Sequence, residues 1–233
     1  MTLTQYGNLY QLTRLIAFNN YFLREDDGLT LIDTNWSGSV NAILTTASEI
    51  GSPIKRIIIT HAHSDHAADL EALRGQLSNV EVYMSTRSQR LYQGDMTLDA
   101  DEPQSKLRGQ YITGETPATH HVNEGDMVGS LRVIAAPGHT PGHIALIDTR
   151  DNTLIAGDAY VTQAGTAVSG EFKLFFPFPA MATWHKPTAL ATAKKLRALE
   201  PSRLAVGHGK VIDNPLLLMD TAIRSAEQKF PKA

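Results

Sequence analysis

The stretch that most restricts this chain is Ile57-Ile58-Ile59 running straight into Thr60-His61-Ala62-His63-Ser64-Asp65-His66. A short, continuous apolar run bounded by polar residues reads as a strand buried on both faces. Such strands belong to sheets covered by helices, and the loops at their ends are where function is placed. Here the loop offers three imidazoles and a carboxylate within six positions. These are side chains that divalent zinc, iron and manganese accept. His61 and His63 alternate, so an extended backbone points both toward one ion. Asp65 and His66 fall where the chain turns into a helix, whose apolar face is Ala67, Leu70, Leu73 and Leu77, and can address a second ion. The bland alternative is a solvated histidine-rich turn, which four donors at one strand end outweigh.

Composition narrows the rest. A chain of 233 residues fits one large domain or two small ones, and 42% hydrophobic against 19% charged residues can fill a core. A net charge of −3 gives no broad basic surface for nucleic acid or anionic membrane. There are no cysteines, so any zinc must be held by nitrogen and oxygen. Met1 to Tyr10 show no basic segment followed by an apolar core, and no apolar stretch approaches bilayer length. The expectation is a cytoplasmic protein acting on a small molecule, with no nucleic acid or membrane partner and with a homodimer as an option.

Along the chain, Leu9 to Ile16, Tyr21 to Arg24 and Leu29 to Ile32 read as strands, with Asp26-Asp27-Gly28 as turn chemistry. Asp33 ends the third strand and is either a turn residue or a group that orients the histidine loop. A helix is predicted from Ser37 to Ile50, with Ser37 or Ser39 as its cap. The metal-loop strand, its helix and a strand at Val80 to Met84 complete a βαβαβ order, which argues for a layered α/β architecture. Residues 93 to 125 are polar and aperiodic and read as a long surface excursion. His120 and His121 lie in it, and solvation is the expectation for them. Further strands follow at Leu131 to Ala136, Ile144 to Ile147, Leu154 to Ala156 and Leu204 to Val206. Helices are predicted at Lys186 to Leu199 and after Asn214-Pro215, the last with a core stripe of Leu216, Met219, Ile223, Ala226 and Phe230. No linker divides the sequence, so residues 1–233 are expected to form a single domain.

Three more ligand-type residues, His139, Asp158 and His208, each follow an apolar strand beside glycine. Sites in α/β sheets gather at strand ends, and glycine lets the backbone approach closely there. The motifs His61-Ala62-His63-Ser64-Asp65-His66, Pro137-Gly138-His139-Thr140-Pro141-Gly142-His143, Gly157-Asp158 and Gly207-His208-Gly209 resemble those of the metallo-β-lactamase-fold hydrolases. The resemblance also takes in Leu31-Ile32-Asp33-Thr34. It implies a four-layer αββα sandwich, two β-sheets face to face with helices outside. It assigns His61, His63 and His139 to a first metal, Asp65, His66 and His208 to a second, and Asp158 to both. The implied cofactor is two divalent ions, zinc first, with iron or manganese as alternatives. His143 and Thr140 look structural, and His185 stays outside every motif.

Two cations sharing a water lower its pKa toward neutrality, so that a metal-bridging hydroxide attacks a carbonyl carbon. Asp65 could pass a proton to the leaving group, and Tyr160 could hydrogen-bond the substrate carbonyl or simply pack. Within the resemblance, His63 stands where redox di-iron relatives have glutamate, and Asp65, His66 and His208 complete a set that mononuclear sulfur dioxygenases lack. Asp158 is foreign to true β-lactamases. Glyoxalase II thioesterases append a helical domain, whereas Lys210 to Ala233 offers one helix. Nucleases of this fold use basic surfaces. What remains is a carboxyl-ester hydrolase for a lactone or small acyl ester. Phe172, Phe175, Phe176, Phe178, Met181 and Trp184 could wall an acyl substrate or form a core or dimer contact. A thioesterase or β-lactamase-like activity, or a non-catalytic metal-binding or sensory domain, is the alternative.

Overall fold

The computed structural model describes residues 1–230, so residues 231–233, at the end of both the expected domain and the expected Lys210 to Ala233 segment, lie outside the described residues. The chain forms two compact units. Met1–Asp95 and Tyr111–Val122 make the first; Met96–Gln110 joins the chain from Asn123 onward in the second.

The first unit holds a seven-stranded sheet in the order β1 (Thr2–Tyr6), β2 (Leu9–Arg14), β3 (Phe18–Glu25), β4 (Gly28–Ile32), β5 (Ile54–Ile58), β6 (Glu81–Ser85) and β7 (His120–Val122). The strands β1 to β4 form an antiparallel meander, and β4 to β7 run parallel. Ile57, Ile58 and Ile59 are fully buried, as a strand inside a parallel sheet requires. The first strand ends earlier than expected. Leu15 and Ile16 form the hairpin tip, with φ of 48° and 73°, and are exposed. The connection to Phe18 is three residues long, and the turn from Arg14 to Ala17, where Ala17 N donates to Arg14 O at 3.3 Å, has positive φ at both central residues; apolar residues there gave no turn signal.

The helices of this unit are α1 (Val40–Ile50), α2 (Ser64–Ala67), α3 (Leu70–Gln76) and α4 (Thr86–Tyr92). The helix expected after the metal loop is thus broken into α2 and α3. Ser39 is at the N-cap of α1, but its hydroxyl donates to Trp36 O at 2.7 Å. The open N–H groups of Gly38, Ser39 and Val40 instead donate to the Asp69 carboxylate, which closes the helix start from a distant point in sequence.

The second unit holds β8 (Met127–Val128), β9 (Leu131–Ala135), β10 (Ile144–Asp148), β11 (Thr153–Ile155), a small hairpin of β12 (Tyr160–Val161) and β13 (Ala167–Val168), then β14 (Arg203–Ala205) and β15 (Ile212–Asp213). Its six-stranded sheet has the order β15-β14-β11-β10-β9-β8. Because β10 is antiparallel to both β9 and β11, and β11 is parallel to β14, the strands β9, β11 and β14 all point one way. Their C-terminal ends therefore share one edge. The helices are α5 (Phe178–Ala182), α6 (Lys186–Arg197) and α7 (Leu216–Lys229). Ala189, Ala193 and Leu196 of α6 and Met219, Ala222, Ile223 and Ala226 of α7 enter one apolar core with Ile134, Ile147 and Leu154 from the sheet. The two units each carry a large sheet with helices, the mixed α/β architecture the strand and helix order predicts.

Candidate metal centre

In the first unit the donors stand directly beyond β5. The rings of His61 and His63 lie 4.8 Å apart, those of His61 and His66 4.1 Å apart, and His66 Nε2 is 3.8 Å from Asp65 Oδ2. Asp33, at the end of the neighbouring parallel strand β4, organises them. Its Oδ1 accepts from Thr60 N at 2.8 Å, its Oδ2 accepts from the Thr60 hydroxyl at 2.8 Å, and His66 Nδ1 is 2.7 Å from Oδ2. Thr60 Oγ1, with its proton given to Asp33, accepts from His61 Nδ1 at 3.0 Å. One carboxylate thus fixes both histidines as Nδ1–H tautomers that present Nε2 as the ligand atom. Of the two readings of Asp33, the orienting one fits this geometry. Asp33 has φ of 62°, and its N–H donates to Ile58 O at 2.9 Å, which turns the carboxylate back over the loop.

His63 is also held from outside the motif. Tyr111 forms an isolated bridge with it and sets its ring edge-on at 4.6 Å. Tyr111 opens a segment that is clamped at Thr116, whose N–H and hydroxyl donate to Glu71 at 2.8 and 2.6 Å. Burial alone would push the Glu71 carboxyl up, but the Thr116 bonds, the Tyr92 hydroxyl and Arg74 hold it below its ordinary value. The latter part of the predicted excursion is therefore ordered against the histidine loop. His120 and His121 lie exposed in β7, and His120 stacks on Tyr83 at 4.7 Å.

In the second unit His139 follows β9, Asp158 follows β11 and His208 follows β14, so the shared strand direction brings all three to one edge. His139 Nε2 is 3.4 Å and His208 Nε2 3.0 Å from the same oxygen, Asp158 Oδ2, and all three side chains are buried. Two imidazole nitrogens converging on one buried carboxylate oxygen are a donor set that suits a divalent cation. His139 Nδ1 lies 2.9 Å from Ser169 Oγ and 3.3 Å from Thr183 Oγ1, which turns its Nε2 toward Asp158. His143 differs: Nδ1 donates to Ala136 O at 3.0 Å, and Nε2 accepts from Asp158 N–H at 3.0 Å. Both of its nitrogens are committed, so His143 ties two ligand loops together. Gly138 is required where that loop meets α6, since an added Cβ would lie 2.3 Å from Ala189 N and its φ is +134°.

Tyr160 does not stand where a substrate carbonyl could reach it. It is fully buried in the apolar core beside α6, and its hydroxyl donates to Ala193 O at 2.8 Å. Burial pushes its pKa far up, with Asp220 adding to the effect. The structure thus corrects the catalytic reading in favour of packing. His185 also has a local role, capping α6 through Thr188. Ser169, Thr183 and Tyr111 carried no local signal, because serine, threonine and tyrosine are common in loops. Within the aromatic stretch, the Phe176 ring centroid lies 5.3 Å from that of His208.

Comparison with known proteins agrees with this layout. Residues 17–208 match the metallo-beta-lactamase superfamily. The chain is 41% identical over 232 residues to the uncharacterized protein YobT of Bacillus subtilis, covering 98% of this chain and 100% of that one. It is 31% identical over 223 residues to the probable metallo-hydrolase YflN of the same organism, covering 86% and 83%. Among solved structures, the DIM-1 metallo-beta-lactamase exposed to ceftazidime superposes with a TM-score of 0.73 at 15% identity, over 98% of this chain and 97% of that one. The chain belongs to the metallo-β-lactamase superfamily and has its fold, and it is a metal-dependent hydrolase of that superfamily. Among the described residues no helix is long and apolar enough to cross a membrane.

Proposed function

We propose that the chain is a single catalytic domain that hydrolyses a carboxyl ester, a lactone or small acyl ester, at a pair of divalent cations. His61, His63 and His139 hold one cation, Asp65, His66 and His208 the other, and Asp158 is shared. The single observation that carries this reading is Asp158: a buried carboxylate oxygen within 3.0 and 3.4 Å of two histidine nitrogens, as a shared ligand would be. When bound, the cations acidify water and polarise a carbonyl oxygen. Asp33 and Thr60 keep the proton of His61 and His66 on Nδ1, and Ser169 with Thr183 orients His139 in the same sense. Asp65, whose carboxylate is partly exposed at the start of α2, would take the proton released by the attacking water on the oxygen not holding the cation and pass it to the leaving oxygen. Zinc is the proposed metal, because a donor set dominated by imidazole with carboxylates suits it; iron or manganese are the alternatives. The proposal extends to a cytoplasmic location and a small-molecule substrate.

The test is a panel of esters, lactones, thioesters, β-lactams and phosphodiesters, with metal content measured on the same sample. Lactone or ester turnover abolished by chelation supports the proposal. Turnover of thioesters or β-lactams alone would move the assignment, and no turnover with full metal content would favour a binding domain.

A further inference from the structure

In the first unit, residues 111–119 form a strap beside the donor segment that has no apolar anchor of its own. None of the buried hydrophobic residues falls within it, and its buried position is Gly114, which has no side chain. Hydrogen bonds and one close approach therefore set its place. At one end Ile112 N donates to Ala62 O at 3.1 Å, next to the Tyr111 bridge with His63. Four residues on, Thr116 gives its N–H and hydroxyl to Glu71 of α3 at 2.8 and 2.6 Å. Between these points Gly114 N donates to Tyr92 O at 2.9 Å, and a Cβ added at 114 would lie 2.0 Å from the Tyr92 ring. The Tyr92 hydroxyl donates in turn to Glu71 at 3.2 Å. Glu71 thus accepts three bonds from two segments. The strap fastens residues 62 and 71, the two ends of the stretch that carries His63, Asp65 and His66.

We propose that Glu71 is a positioning residue of the metal centre. By latching the strap at Thr116 it holds Tyr111 and Ile112 against His63 and Ala62, and so sets the direction in which His63 offers its ring to a cation. The inference rests on the proposed role of His63 as a ligand. Asp33 and Thr60 orient His61 and His66 from within the loop; for His63 the strap takes that part, through the Tyr111 ring at 4.6 Å. Groups behind a ligand are worth about 10- to 100-fold in metal affinity, because a ligand left loose is offered in the wrong geometry. A carboxylate suits the latch, since hydrogen bonds to a charged acceptor are stronger than neutral ones. A strap of exposed and half-buried residues has little apolar burial to replace them.

Cobalt(II) is the probe, read by chelator competition and by the visible absorption of the bound ion, with folding followed by circular dichroism. Glu71→Ala should weaken cobalt binding about tenfold and shift the absorption bands. Should that variant unfold, Thr116→Val removes the hydroxyl bond alone and should act in the same direction to a smaller degree. Thr116→Ser, which keeps both bonds to Glu71, should match the wild type. On a His63→Ala background the same substitution should have no further effect, as for residues that act through one another. Unchanged affinity and spectrum in whichever of Glu71→Ala and Thr116→Val folds, or a full effect that persists without His63, would overturn the inference alone. If His63→Ala by itself changes neither quantity, the ligand assignment fails and takes the inference with it.

Discussion

Asp33 Oδ2 lies 2.7 Å from Nδ1 of His66, although the two are 33 residues apart, and the same oxygen accepts from Thr60. Parallel pairing of β4 with β5 creates this relationship, because it brings the ends of both strands to one edge. A single carboxylate then sets the orientation of two proposed ligands.

Asp33→Asn isolates that role, since asparagine tolerates the positive φ while losing the charge that holds the imidazole N–H. Metal affinity should fall about 10- to 100-fold with the fold retained. Competition against a chelator measures the first and circular dichroism the second. Unchanged affinity would remove Asp33 from the centre.

Asp158→Ala deletes the oxygen on which His139 and His208 converge. Bound metal should drop from about two ions per chain toward about one, and hydrolysis should be suppressed. Elemental analysis that returns the wild-type stoichiometry would contradict the ligand assignment.

Tyr160→Phe separates packing from catalysis. The lost bond to Ala193 O should cost about 0.5–1.5 kcal/mol of stability. Turnover by the folded variant should match the wild type. A large fall in kcat with an unchanged Tm would restore the catalytic role.

Glu171 supplies a pH-dependent contribution. Its side chain is 1% exposed and meets Lys229 at 2.7 Å, Ser225 at 2.9 Å and Lys173 at 3.3 Å. Burial pushes its carboxyl up, yet Lys229, Ser225 and Lys173 together hold it below the ordinary 4.5. A lowered folded-state value means the stabilisation is complete above that ordinary value and is lost as pH falls through the folded one. Glu171→Gln should lower stability at pH 7 by about 1–3 kcal/mol and flatten the acid side of the Tm-against-pH curve. Parallel curves for the two proteins would show that the carboxylate contributes nothing ionic.

What the sequence determined is the chemistry at each strand end. An apolar run of isoleucines must be buried, and the polar donors that follow it within a few bonds are carried to the end of that strand. His61, His63, Asp65 and His66 could be read this way, as could His139, Asp158 and His208 beside their glycines. The hairpin tip at Leu15-Ile16 and the capping of α1 by Asp69 could not, because the first inverts the usual turn composition and the second joins groups some 30 residues apart. Tyr160 shows the same limit: two residues past Asp158 it looked catalytic, but the β12–β13 hairpin turns it into the core under α6. Which donors share an edge, which nitrogen of each histidine is left to bind, and which hydroxyls stand behind them depend on strand direction and packing between distant segments. Those are decided only when the tertiary structure forms.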